Sequence, residues 1–330
     1  MRHHRHWKAI AILLGTLTPG MASAQGAAAA DTYPFRPVTI VLGVAAGASN
    51  DIETRLYAQK LGDNLRQPFL VDYKPGAGQT IAAAYVAKSA PDGYTLLNIT
   101  PSFTLTPALY RDLPYDPVKD FVAVSLASKM PYLLLVTPAL PARTVAELVA
   151  LSKAKPGELN FGTAGAGGFP HVAGVWLQTL TGTRLTFVHY KGGAPSYTAL
   201  MAGEVQIGFG GLAAVAPLVR AGKMRAIAST GSERSRLYPD LPTVAEQGVP
   251  GYEASTWLAY VIPVKTPVAI VNKLNAEFAK VARDADVVQK LMQAGADPVG
   301  GSPEQLRQLI AAEALRWRKL VQDTGMKLEE

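Results

Sequence analysis

Apolar positions change their period along the chain, from short runs suited to buried strands to stripes suited to helices. Residues 37–44 form a β-branched run after a proline and read as a buried first strand, followed by the small-residue stretch AAGASND at 45–51. From 51 to 65, Thr54, Ala58, Leu61 and Leu65 share one helical face while Ile52 and Leu56 fall elsewhere, which predicts a helix covered on more than one side. A second strand is expected at 69–72, a glycine turn at 74–80, a helix at 80–88 and a third strand at 94–99. Strands that alternate with helices predict an α/β fold with a largely parallel sheet.

The same order recurs from about Lys129. A strand at 132–136 precedes Thr144 and Glu147, spaced as a helix capping box. Residues 159–162 lead into GTAGAGGFPH (162–171), 186–189 into YKGGAPS (190–196), and 205–209 into GGLAA (210–214); a further strand is expected at 224–229 and a surface connection at 237–251. Two late helices follow, one begun by Thr266-Pro267 with Ile270, Leu274, Phe278 and Val281 on a face, the other by Ser302-Pro303 with Gln305 completing a capping box. In the last helix Leu306, Leu309, Ile310, Trp317, Leu320 and Val321 gather on one side, so Trp317 reads as core.

With 330 residues, the chain is long enough for two cores of moderate size. Arg2 to Lys8 is basic, Ala9 to Leu17 apolar, and Pro19-Gly20 precedes Ala22-Ser23-Ala24, so residues 1–24 read as an export leader cleaved before Gln25. That apolar run is about half the roughly 20 residues a membrane span needs. The chain has no cysteine, which excludes disulfides, thiolate chemistry and cysteine-bound metals. The net charge of +7 includes Arg2, Arg5 and Lys8, leaving about +4 on the mature chain, scattered among acids with no stripe for nucleic acid.

Each strand ends at a small-residue turn that brings backbone N–H groups to a helix start, where orphan donors and the helix dipole favour an anion. Such turns serve either chain reversal or ligand capture. If the latter, AAGASND would face GTAGAGGFPH beyond the strand ends, with Ser49, Asn50, Ser102 and Thr163 as short neutral donors. GAGQT lacks a P-loop lysine, GAGGFP lacks the last glycine of a dinucleotide fingerprint, and no G-x-S-x-G is present. His171 and His189 have no acidic partner at metal-ligand spacing; His171 reads as a structural hydrogen-bonding group or a ligand contact, and Asp51 as a helix N-cap. No catalytic set, metal site or cofactor is expected.

The segments AAGASNDIETRL, PGAGQTIAAAYVAKSAPDGYTLL, PYDPVKDF, GTAGAGGFPH, YKGGAPS and LPTVAEQGVPGYE, with the start at Thr266-Pro267, together resemble the Bug family, the extracytoplasmic receptors of tripartite tricarboxylate transporters. The resemblance implies a type II-like periplasmic binding-protein fold: two doubly wound domains, residues 25–128 plus 255–330 and residues 129–254, around a ligand cleft. It implies a periplasmic, monomeric receptor that captures a small carboxylate and delivers it to the transporter's membrane components, or presents it to a signalling kinase. An enzyme, such as a hydrolase or isomerase, has no residues to support it. Carried over by position, the ligand contacts are Gly47, Ala48, Ser49, Asn50, Asp51, Ser102, Phe103, Thr163, Ala164, Gly165, Gly168, Phe169 and Ala194. The family usually has serine at Gly168 and aspartates at Gln206 and Gly210. A cleft-facing aspartate would pair with a ligand ammonium, so its absence at Gly210 favours a non-amino carboxylate, with Phe103 or Phe169 available to stack on a flat or aromatic one.

Overall fold

β-Branched and aromatic runs punctuated by glycine turns become ten strands among the described residues. The computed structural model describes residues 32–325 apart from 45, 47, 48, 77, 78, 111, 112, 167, 191, 192 and 237, and the leader expected at 1–24 lies outside the described residues. The first unit runs β1 (Val38–Leu42), α1 (Ser49–Leu65), β2 (Phe69–Tyr73), α2 (Thr80–Ala87), β3 (Thr95–Ile99) and α3 (Ser102–Leu109). The chain then enters β4 (Phe121–Val136), α4 (Val145–Ala154), β5 (Asn160–Thr163), α5 (Phe169–Thr181), β6 (Thr186–His189), α6 (Gly193–Ala202), β7 (Ile207–Gly211), α7 (Leu212–Arg220) and β8 (Arg225–Ser229). It returns through β9 (Ser255–Pro263), α8 (Val268–Val281), α9 (Ala285–Gln293), β10 (Asp297–Pro298) and α10 (Pro303–Thr324).

The strand order is β2-β1-β3-β9-β4-β7-β5-β6, with β8 and β10 also on β4. Pairings of β1 with β2 and β3, and of β5 with β6 and β7, are parallel. Every pairing of β4 and β9 is antiparallel, so the sheet is mixed and not largely parallel. The reason is β4, a 16-residue strand where the sequence pattern suggested only 132–136. Its residues from Phe121 to Pro131 pair with β9, and those from Tyr132 to Val136 pair with β7 and β8. Pro131, which lacks an N–H, sits where the partners change, opposite Ser255 at the start of β9. There a missing ladder donor is least disruptive.

Alternation along each strand covers both faces. In β1, Ile40 and Leu42 enter one core and Val41 another; in β9, Tyr260 and Ile262 divide from Ala259 and Val261 in the same way. Around the second group of strands, Leu134 and Val136 face one core, Leu133 and Leu135 the other. Helices cover both faces of both groups, which makes each doubly wound. The amphipathic α10, about 33 Å long at 1.5 Å per residue, bridges them. Its Leu306 and Ile310 pack in the first unit, while Trp317 and Leu320 pack in the second.

Candidate ligand-binding cleft

Several helices begin around one cavity of about 450 Å³, a volume suited to a small molecule. From the first group of strands come Asn50 and Glu53 in the first turns of α1, and Thr100, Pro101 and Ser102 at the start of α3. Across it stand Phe169, first residue of α5, Tyr197 of α6, and Gly211 and Ala214 at the start of α7. The crossing strands add Ser128, Met130 and Tyr132 from β4 and Thr256, Trp257 and Leu258 from β9. The N-caps of α3, α5 and α7 are Pro101, Gly168 and Gly211, and none makes a side-chain cap bond. No capping side chain consumes first-turn amides there, although the N–H groups of Phe103, Thr104 and His171 donate to the carbonyls of Thr100, Pro101 and Gly168, and the helix dipoles bias the space toward anions. No lysine, arginine or histidine lines the cavity among the described residues.

Of the residues singled out from sequence, Asn50, Ser102 and Phe169 line this cavity. Gly47 and Ala48 lie outside the described residues, and Ser49 starts α1 without a described side chain. Asp51 sits within the first turn, because the helix begins two residues before it. It is 3% exposed and accepts hydrogen bonds from Tyr73 Oη at 2.7 Å and Arg55 Nε at 3.0 Å, away from the lining. Phe103 is core: its ring stacks on Tyr115 at 5.5 Å and meets Phe121 edge-on, so it offers no face to a ligand here. Thr163 is buried at the end of β5, its Oγ1 2.7 Å from His189 Nδ1. Ala164, Gly165 and Gly168 follow in the loop to α5, and Ala194 is exposed in the first turn of α6; none of the four lines the cavity.

The residues missed are Glu53, Ser128, Tyr132, Tyr197 and Trp257. Glu53 had a readable signal, since it stands three residues after Asn50 and shares its helix face. Burial pushes its carboxyl up to about 7, opposed by a hydrogen bond from Ser128. Burial likewise pushes Tyr132 up to about 12, and Tyr197 is raised although it receives the Gly211 N–H. His171 is lowered to about 4 by burial and by the neighbouring His189, whose ring lies 4.6 Å away. No group of three or more His, Asp or Glu that could hold a metal occurs among the described residues.

The cleft-facing position at the end of β7 is Gly211, not Gly210 as the sequence suggested. A Cβ on Gly210 would overlap Val215 and approach Leu135 to 2.8 Å, so this position faces the core and makes no room for a ligand. A Cβ on Gly211 would meet nothing within 4 Å, and Gly211 lines the cavity. Gln206 is structural: its Oε1 accepts the Asn160 N–H and its Nε2 donates to the Gly203 carbonyl.

Two doubly wound groups of strands, crossed by shared strands and meeting at a ring of helix starts, define a two-lobed solute-binding protein. The chain belongs to the tripartite tricarboxylate transporter family receptors, whose family model matches residues 54–326. It is 36% identical to BugT of Bordetella pertussis over 302 residues, 91% of this chain and 93% of that one. Among solved structures, a Rhodopseudomonas palustris protein with adipate is 38% identical with a TM-score of 0.73, covering 89% of this chain and 99% of the other. MatC of the same organism, with bound malate, is 34% identical with a TM-score of 0.70, covering 88% and 100%.

Proposed function

We propose that this protein is a periplasmic receptor, exported by the leader at 1–24, that captures a small non-amino carboxylate and delivers it to the membrane components of a tripartite tricarboxylate transporter. The observation that carries this reading is the meeting of α1, α3, α5 and α7 starts, from both groups of strands, around one cavity with no basic side chain among its described lining residues. Backbone amides and dipoles, with Ser102 and Asn50, would hold the carboxylate. Phe169, Tyr132, Tyr197 and Trp257 give the space aromatic walls suited to a flat or aliphatic body. The adipate and malate of its two relatives support the ligand class. The lobes are taken as residues 25–128 with 255–330, and residues 129–254. Support comes from the change of β4 partners after Pro131 and the chain's return at Ser255. The receptor acts as a monomer and without catalysis.

The test is native mass spectrometry of the protein purified without refolding, with a thermal-shift panel of adipate, malate, succinate and benzoate. A co-purified acid, or stabilisation by a panel member, supports the reading. Gly211→Trp should abolish that binding while the fold survives, because Gly211 has ordinary dihedrals (φ −64°) and open space at its Cβ. Retained binding by that variant would remove this cavity from the function.

A further inference from the structure

Glu53 is the one carboxyl group among the described residues that line the cavity, and it is set there in an unusual way. Its side chain is buried, 7% exposed, in the second turn of α1. The Ser128 hydroxyl of β4 hydrogen-bonds to the carboxyl, yet Oε1 has no partner. A buried polar atom left unpaired costs free energy that a fold does not retain without a use. Because the residue borders the cavity, the missing partner is one that a ligand can bring.

We propose that Glu53 is a specificity-determining residue of the cleft, carrying a proton and donating a hydrogen bond to a second oxygen acceptor of a dicarboxylate or hydroxycarboxylate ligand. The inference rests on the carboxylate-receptor reading and adds what recognises the far end of the acid. Three observations favour a proton donor over an anion awaiting an amine. No lysine, arginine or histidine among the described lining residues balances an ionised Glu53. The groups that interact with it are the neutral phenols Tyr57, one turn along α1, and Tyr260 of β9, and Tyr132 and Tyr197 line the same cavity; burial raises the pKa of all four. The converging helix starts oppose the entry of an ammonium, and an arriving dianion would hold the proton on Glu53 more firmly. Burial has already brought the group to about 7, so the donor form is well populated at neutral pH.

The experiment is titration calorimetry with adipate, malate and glutamate between pH 6.5 and 8.5, corrected for the ionisation of each ligand, on wild type, Glu53→Gln and Glu53→Leu. The expected result has four parts. Adipate or malate binds wild type more tightly at pH 6.5 than at 8.5, by tenfold or more. Glu53→Gln, whose amide still donates, binds within a few-fold of wild type at pH 6.5 and loses the pH dependence. Glu53→Leu loses tenfold or more at pH 6.5. Glutamate binds worst. Affinity that rises with pH, glutamate binding lost in Glu53→Gln, or a Glu53→Leu variant equal to wild type would overturn the proposal.

Ligand-free urea unfolding reads the proton independently. A folded pKa raised above the ordinary carboxyl value gives stability present at low pH and lost as pH rises through about 7. Wild type should therefore match Glu53→Gln near pH 4, below the ordinary carboxyl value, and fall below it at pH 8.5; parallel curves would mean that Glu53 ionises freely and would also overturn the proposal. If wild type binds no acid of either panel at any pH, the carboxylate reading itself fails, and this inference falls with it.

Discussion

At the scale of single residues, one position separates a core glycine from a cleft glycine. Period 2 in β7 sends Gly210 toward Val215 and Leu135 and leaves Gly211 facing open space beside the cavity. Gly210→Asp should therefore destabilise the protein by at least about 3 kcal/mol, combining overpacking with a buried unpaired carboxylate. Gly211→Asp should fold with stability within about 0.5 kcal/mol of wild type, since aspartate suits the N-cap of α7. It should nevertheless weaken adipate binding at least tenfold by placing a negative charge among the carboxylate-binding amides. Urea midpoints and calorimetry on the two variants check both halves, and equal destabilisation would contradict the alternation. Asn50 was legible because a residue at the start of a helix after a small-residue turn is placed by the turn itself, whereas Ser102 was named as a short donor without the helix it opens and Phe169 came with the family resemblance. Phe103 and Thr163 were not, because each is claimed by partners distant in sequence, Tyr115 and Phe121 for one and His189 for the other. Sequence proximity to a turn does not reveal which side of the chain the core will occupy.

At the scale of elements, helices with local start signals were the most legible. Ser302 and Gln305 form the reciprocal box, and Thr144 accepts the Glu147 N–H while Glu147 reaches back to Arg143. The strand β9, the first eleven residues of β4 and the helix α3 were not anticipated. Continuous apolar runs such as STWLAYVIP carry no period, and their antiparallel pairing is a long-range fact. Pro107 inside the eight-residue α3 masks it as a turn. Two of these elements, β9 and α3, are tied together by Glu313 of α10, whose two oxygens accept from Trp257 Nε1 of β9 at 3.0 Å and Thr104 Oγ1 of α3 at 2.8 Å. Because burial raises the carboxyl's pKa, those two donors are what make its position tolerable. Glu313→Ala should cost about 1–3 kcal/mol by leaving the Trp257 N–H unpaired, while Thr104 keeps the Pro101 carbonyl as its acceptor. It should also disturb the Trp257 wall of the cavity, weakening adipate binding along with stability. Urea unfolding and calorimetry measure the two effects, and an unchanged midpoint would show that water replaces the carboxylate without penalty.

At the scale of the whole molecule, the two groups of strands share β4, are linked again where the chain enters β9 after Ala254, and are spanned by α10. Phe169 belongs to the far wall of the cavity, yet its ring meets Trp317 edge-on at 6.0 Å, so the wall is coupled to a helix rooted in the other unit. A ligand that touches both walls favours whichever relative placement of the units lets it touch both, and only that differential contact can drive a change of shape. Moving the population from mostly open to mostly closed requires about 5.5 kcal/mol of such preference, within reach of a micromolar ligand at about −8.2 kcal/mol in total. Adipate at one hundred times its dissociation constant should therefore stabilise the protein by about 2.7 kcal/mol and reduce its radius of gyration in small-angle scattering. Gly211→Trp, whose ring would occupy the space between the walls, should show neither effect. Stabilisation without contraction would mean that the two units are already fixed by β4, β9 and α10, and that the ligand enters a rigid cleft. Contraction without stabilisation has no thermodynamic source, because a ligand cannot shift an equilibrium by more than its preference for one side.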